Sequence, residues 1–110
     1  MASLSNYLRS HRKRLALSQK EVASLLGVRG LTWGTSVSRD ENFIRVPSLE
    51  TALKYEVVYG VPVRELFAGL YDKAEQEVAK RAKLLSFRKF TKPKPEREEV
   101  ISRLVSKLNT

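Results

Sequence analysis

Ser18-Gln19-Lys20-Glu21-Val22-Ala23-Ser24-Leu25-Leu26-Gly27, followed after a glycine-flanked interval by Thr35-Ser36-Val37-Ser38-Arg39-Asp40-Glu41-Asn42, decides how this chain folds. Ser18 can accept a hydrogen bond from the Glu21 amide while the Glu21 carboxylate reaches back to the Ser18 amide, which is a capping box. Val22, Leu25 and Leu26 recur at helical spacing, and Gly27 supplies the positive φ that ends the helix. In the second half one apolar residue, Val37, sits among short hydrogen-bonding side chains and a single Arg. Such a helix buries little and is better suited to touching something polar.

Two short helices, a glycine turn, small Ala23 where they would cross and polar residues on the second outer face describe a helix-turn-helix. On these residues the chain resembles the lambda-repressor-like (Cro/Xre) DNA-binding domains. The resemblance is carried by Leu8, Arg12, Leu17-Ser18-Gln19, Val22-Ala23, Leu26-Gly27, Val37-Ser38-Arg39, Glu41, Pro47-Ser48-Leu49-Glu50, Gly60-Val61-Pro62-Val63 and Leu66-Phe67, and it covers Leu4 to Tyr71. It implies an all-α, five-helix lambda-repressor-like domain whose recognition helix reads double-stranded DNA. It also implies a structural salt bridge between Arg12 and Glu41, and a DNA-facing role for Gln19. Two departures stand out. Val37 follows Gly27 at a longer interval than in the family, the extra residues falling within Arg29-Gly30-Leu31-Thr32-Trp33-Gly34. Asp40-Glu41-Asn42-Phe43 stands where relatives carry an aromatic and more positive charge.

A recognition helix in a major groove presents donors and acceptors to base edges near its N-terminus. Thr35, Ser36, Ser38 and Arg39 have suitable side chains. Arg39 can contact guanine with two hydrogen bonds; pairing with Asp40 or Glu41, or contact with phosphate alone, are its other options. Arg45 and Ser48 can clamp a further phosphate, although Ser48 is also a natural N-cap. Lys20 and Arg29 join Gln19, Thr35, Ser36, Ser38, Arg39, Arg45 and Ser48 in the candidate DNA-binding set. Val37 belongs to the core, and Trp33 is a lid on it or an insert touching DNA.

Composition agrees with a polyanion partner. The chain has 110 residues, 21 Lys/Arg against 12 Asp/Glu and a net charge of +9. The charge is spread: ten Lys/Arg and six Asp/Glu give Met1–Leu70 +4, and eleven and six give Tyr71–Thr110 +5. A small cationic protein concentrates near nucleic acid. There is no cysteine and one histidine, His11, so neither a thiolate site nor a histidine cluster is available. Met1–Asn6 lacks a basic-then-apolar pattern and no apolar run approaches the ~20 residues of a membrane span. The expected location is the cytoplasm. With no nucleophile elbow, phosphate-binding glycine loop or paired carboxylates, no enzyme and no cofactor is expected.

In chain order, Ser5 is expected to cap a first helix from Asn6 to Leu15, with Leu4, Leu8 and Leu15 inward. A fourth helix opens at Ser48 and should bury Leu49, Ala52, Leu53 and Tyr59, ending at Gly60. Pro62 opens a fifth, whose stripe of Val63, Leu66, Phe67, Leu70, Tyr71, Ala74 and Val78 runs on to Leu84 or Leu85, with Gly69 a place for a kink. The expected organisation is residues 1–71 as the DNA-binding domain, 72–85 as an extension of the fifth helix, 86–95 as a basic linker with two prolines and 96–110 as an amphipathic helix. That linker is either a plain connector or an arm along DNA phosphates. Val100, Ile101, Leu104, Val105 and Leu108 stripe the last helix, which is too short to stand alone and is expected to support a homodimer. The expected function is a homodimeric repressor on a near-palindromic operator. The alternatives are an antitoxin or adaptor that grips a protein partner through its C-terminal helix, and a nonspecific nucleic-acid coat.

Overall fold

The computed structural model describes residues 4–28, 33–88 and 94–109, and all regular structure among them is helical. The helices are α1 (Leu8–Arg14), α2 (Gln19–Leu26), α3 (Trp33–Glu41), α4 (Leu49–Tyr59), α5 (Val63–Leu66), α6 (Ala68–Ser86) and α7 (Pro95–Val105). They divide into two compact units, Met1–Leu70 and Tyr71–Thr110. Arg29 and the stretch 89–93 lie outside the described residues, as does the Trp33 side chain, so the expectations placed on them are not addressed. None of the described helices is long and apolar enough to cross a membrane.

In the first unit the core joins Leu8, Val22, Ala23, Leu26, Val37, Ala52, Tyr55, Tyr59, Val61, Leu66 and Phe67. Ala23 and Val37 are fully buried, so the small residue and the lone apolar residue of the two short helices sit where α2 and α3 meet. The capping box forms as its sequence dictates: Glu21 N donates to Ser18 Oγ at 3.0 Å and Ser18 N to Glu21 Oε1 at 2.9 Å. Gly27 closes α2 at φ 89°, a conformation a side chain would resist.

Several boundaries differ from expectation. α1 starts at Leu8, and the residue that satisfies its first turn is Asn6, whose Oδ1 accepts from Leu8 N at 3.1 Å; Ser5 plays no capping part. Leu4 and Leu15 are exposed, leaving Leu8 as the helix's buried anchor. α3 begins two residues before Thr35, which places Gly34 inside the helix. In α4 the buried residues are Ala52, Tyr55 and Tyr59, while Leu49 and Leu53 are exposed. α4 carries apolar residues all round, so periodicity alone did not select the face. Packing chose the one whose rings stack, Tyr55 on Tyr59 at 5.8 Å and Tyr55 edge-on to Phe67 at 6.4 Å.

The single long fifth helix is corrected to two, with the break at Phe67 (φ −117°, ψ 42°). The reason is backbone hydrogen bonding to the chain's beginning. Tyr7 N donates to Leu66 O at 2.7 Å, and Gly69 N donates to Leu4 O at 2.8 Å. A helix running through would have used both of those groups internally. The Glu56 carboxylate accepts from Val63 N at 2.7 Å and so serves the start of α5.

In the second unit Ala79 and Ala82 of α6 and Ile101 of α7 are buried. The residues after α7 fold back on α6: Gln76 Nε2 donates to Lys107 O at 2.6 Å, and Asn109 N donates to Gln76 Oε1 at 2.8 Å. The last helix is shorter than the expected 96–110, and its first residue is Pro95, a position where the missing N–H costs nothing.

Candidate nucleic-acid interface

α3 has two unlike faces. Inward lie Val37, Asp40 and Glu41, at most 4% exposed. Thr35, Ser38, Arg39 and Asn42 follow at i, i+3, i+4 and i+7 and form the opposite stripe. Thr35, Arg39 and Asn42 are exposed and Ser38 is half-buried. Asn42 Nδ2 donates to Ser38 Oγ at 3.2 Å, a bond that uses neither the Ser38 hydroxyl proton nor the Asn42 side-chain carbonyl. Asn42 was absent from the expected set, although its spacing from Thr35 and Arg39 would have placed it there.

The inward carboxylates lock the helix. Glu41 receives Arg12 Nε at 2.6 Å and Nη2 at 3.2 Å, and Gln19 Nε2 at 3.1 Å. Arg12 also donates to Leu17 O at 3.0 Å. The hydrogen bond to Glu41 raises the Arg12 pKa, with burial opposing. The salt bridge implied by the resemblance is thus present, and Gln19 is drawn into it as a buttress of α3.

Asp40 is a hub that sequence reading missed. Its Oδ1 accepts from Arg45 Nε at 2.8 Å, its Oδ2 from the Tyr55 hydroxyl at 2.7 Å, and its backbone carbonyl from Asn6 Nδ2 at 2.9 Å. Burial first, then that hydrogen bond, raises the Tyr55 phenol pKa well above its ordinary value. Arg45 Nη2 goes on to Ser36 Oγ at 2.6 Å and Ser36 O at 3.2 Å. Arg45 and Ser36, expected as DNA contacts, are therefore bound to each other. The hydrogen bond to Asp40 raises the Arg45 pKa, and its side chain stays 45% exposed.

Ser48 caps α4, accepting from Thr51 N at 3.2 Å. An open groove lined by Leu26, Val28, Ser36, Arg45, Pro47, Ser48 and Thr51 gathers the Ser36–Arg45 pair and the start of α4 on one side of the unit. Lys20 is exposed at the start of α2, and a Cβ at Gly34 would stand 3.5 Å from Lys20 Cγ, so α3 begins against α2. Among the described residues the Arg39 guanidinium makes no hydrogen bond or ion pair, Asp40 and Glu41 both being engaged elsewhere. No cluster of three metal-ligating side chains occurs among them.

This geometry can present two hydroxyls, an amide and a free guanidinium on one rigid face, backed by buried ion pairs. No protein-family model, curated protein or solved structure matches this chain.

Proposed function

We propose that this chain is a sequence-specific DNA-binding transcription regulator of the lambda-repressor-like (Cro/Xre) kind, acting as a repressor in the cytoplasm. In this reading α1 to α5 form the five-helix domain and α2 and α3 its helix-turn-helix. α3 enters the major groove, and two copies bind a near-palindromic operator. The observation that carries it is the division of α3. Its inner side is fixed by Val37, Asp40 and Glu41, while on the opposite stripe Thr35, Arg39 and Asn42 are exposed and Ser38 is half-buried.

Arg39 is the residue to read bases, since one bidentate guanine contact discriminates by roughly 1–3 kcal/mol. Lys20, with Ser48 and the start of α4, would hold phosphates. Gln19 and Arg45 act behind the contact surface, keeping α3 in place, with part of each side chain left for the backbone. Selection of bound sequences from a random DNA pool, followed by titration at several salt concentrations, tests this. The expected result is a symmetric site whose affinity falls with salt and with Arg39→Ala. Binding indifferent to both would overturn it.

One observation favours a second reading, an adaptor or antitoxin module. Leu49, Leu53 and Val57 form an exposed i, i+4, i+8 row on α4, and Ile44 and Val46 ahead of it in the chain are exposed too; exposed apolar surface gathered in one patch marks a protein contact. Leu53→Asp that abolishes capture of a protein partner yet leaves DNA selection unchanged would favour that reading.

A further inference from the structure

The short segment Leu4–Tyr7 is bonded to two places far from it in sequence. One is the break between α5 and α6, where Gly69 N donates to Leu4 O at 2.8 Å and Tyr7 N donates to Leu66 O at 2.7 Å. The other is the last turn of α3. There Asn6 Nδ2 donates to Asp40 O at 2.9 Å, one of the carbonyls that a helix end leaves without an internal partner. The segment is also closed on itself, Leu4 N donating to the Tyr7 hydroxyl at 3.1 Å and Leu8 N to Asn6 Oδ1 at 3.1 Å. Leu4 and Ser5 are exposed while Asn6 is buried, so hydrogen bonds rather than an apolar anchor hold it as far as Asn6.

We infer that Leu4–Tyr7 is a strap and that the helix break it holds is conditional. With the strap in place the helix is interrupted at Phe67 and the end of α3 is tied. With the strap released, Val63 to Ser86 run as one helix and Asp40 O loses its Asn6 donor. The inference goes beyond the DNA reading and stands whatever α3 binds. Two observations carry it. Val63, Leu66, Phe67, Leu70, Ala74 and Val78 keep helical spacing straight through the break, so the sequence there favours an unbroken helix. The hydrogen bonds also balance. In an unbroken helix Gly69 N donates to Glu65 O and Leu66 O accepts from Leu70 N, two bonds for the two given up. Hydrogen-bond number does not choose between the states, and the strap's own attachments do. Asn6 is one of those attachments, so the end of α3 and the break share one equilibrium. Whatever favours a state at one place favours it at the other.

Amide hydrogen exchange and backbone chemical shifts of the full-length protein, without DNA, test this. Tyr7→Phe keeps the ring and removes the hydroxyl that receives Leu4 N. It should speed exchange of the residue 7 amide at least about tenfold while Gly69, now bonded within the helix, stays protected. Phe67 should move into the helical shift range, and the Asn6 side-chain amide signals should move to solvent values. Asn6→Ser works from the other end. Serine is one bond shorter and carries a single oxygen, so it can still cap Leu8 but not bridge to Asp40 as well. It should expose the Tyr7 amide and make Phe67 helical in the same way. Tyr7→Phe that leaves the Asn6 amide signals in place, or Asn6→Ser that leaves the Tyr7 amide protected, would show separate contacts and overturn the inference. Equal loss of protection at residue 7 and Gly69 with Phe67 unchanged would also overturn it, because the break would then be intrinsic to the α5–α6 sequence.

Discussion

Arg39 and Arg45 lie six positions apart and do opposite things, and that contrast gives the sharpest test at the residue scale. Arg45 neutralises a carboxylate only 1% exposed, so Arg45→Ala leaves Asp40 buried without its counter-charge. The expected cost is about 2–3 kcal/mol in denaturant unfolding, below the fully buried range because Arg45 itself is half in water. Arg39→Ala should leave stability within about 0.5 kcal/mol and instead flatten base preference in a binding titration. The same hub predicts an alkaline limit. The Tyr55 and Tyr59 phenols both have raised pKa values, chiefly from burial, so the fold favours their neutral forms. That contribution is whole below the ordinary phenol value of about 10 and is lost as pH climbs beyond it. Tyr55→Phe should cost about 1–3 kcal/mol at neutral pH by removing a donor from buried Asp40. It should also make stability fall less steeply above pH ~10, as thermal melts across that range would read out.

Among the elements, α2 is where local sequence alone fixes the outcome. Ser18→Ala is expected to cost about 1 kcal/mol through the lost cap. The Glu21 pKa is lowered, first by its hydrogen bond to the Ser18 amide. Its contribution is therefore present above the ordinary glutamate value of about 4.3 and disappears as pH falls through the lowered one. Glu21→Gln should remove that part of the acid dependence while Ser18 still caps. The capping box, Gly27, buried Val37 and the Arg12–Glu41 pair were all readable because each depends on neighbours in sequence or on one long-range partner implied by the resemblance. What could not be read depends on remote packing. Asp40 looks like a surface acid until Tyr55 and Arg45 are brought to it. Phe67 breaks the fifth helix because Leu66 and Gly69 bond to Tyr7 and Leu4. Leu49 and Leu53 were expected inside because α4 is apolar on every side, and only the ring stack of Tyr55 and Tyr59 chose between faces. At the candidate interface Thr35 and Arg39 were legible by type and position. The bond between Ser36 and Arg45 was not, since nothing in either residue's local sequence pairs them.

For the whole molecule the deciding quantity is how its charge is used. A net charge of +9 draws any polyanion, so affinity for DNA alone would not separate a regulator from a nonspecific coat. The separation lies in how binding responds to salt and to single substitutions. Each phosphate neutralised contributes about −0.9 to the slope of log affinity against log salt. Lys20→Ala, if Lys20 only meets phosphate, should weaken selected and scrambled DNA alike and reduce that slope by about 1. Arg39→Ala should act unequally, costing roughly 1–3 kcal/mol on the selected sequence and much less on a scrambled one. A coat held on by charge predicts the same loss on both sequences for both variants, whichever face carried the lysine or the arginine. Arg12→Ala supplies the control for structure. It strips Glu41, 1% exposed, of its main partner and should cost about 3–5 kcal/mol of stability, yet leave every exposed charge of α3 in place. If Arg12→Ala, held folded at low temperature, loses selectivity while keeping the parent salt slope, then discrimination depends on how firmly α3 is held as well as on what its outer face displays. An unchanged preference in that variant would mean that the buried pair serves stability alone.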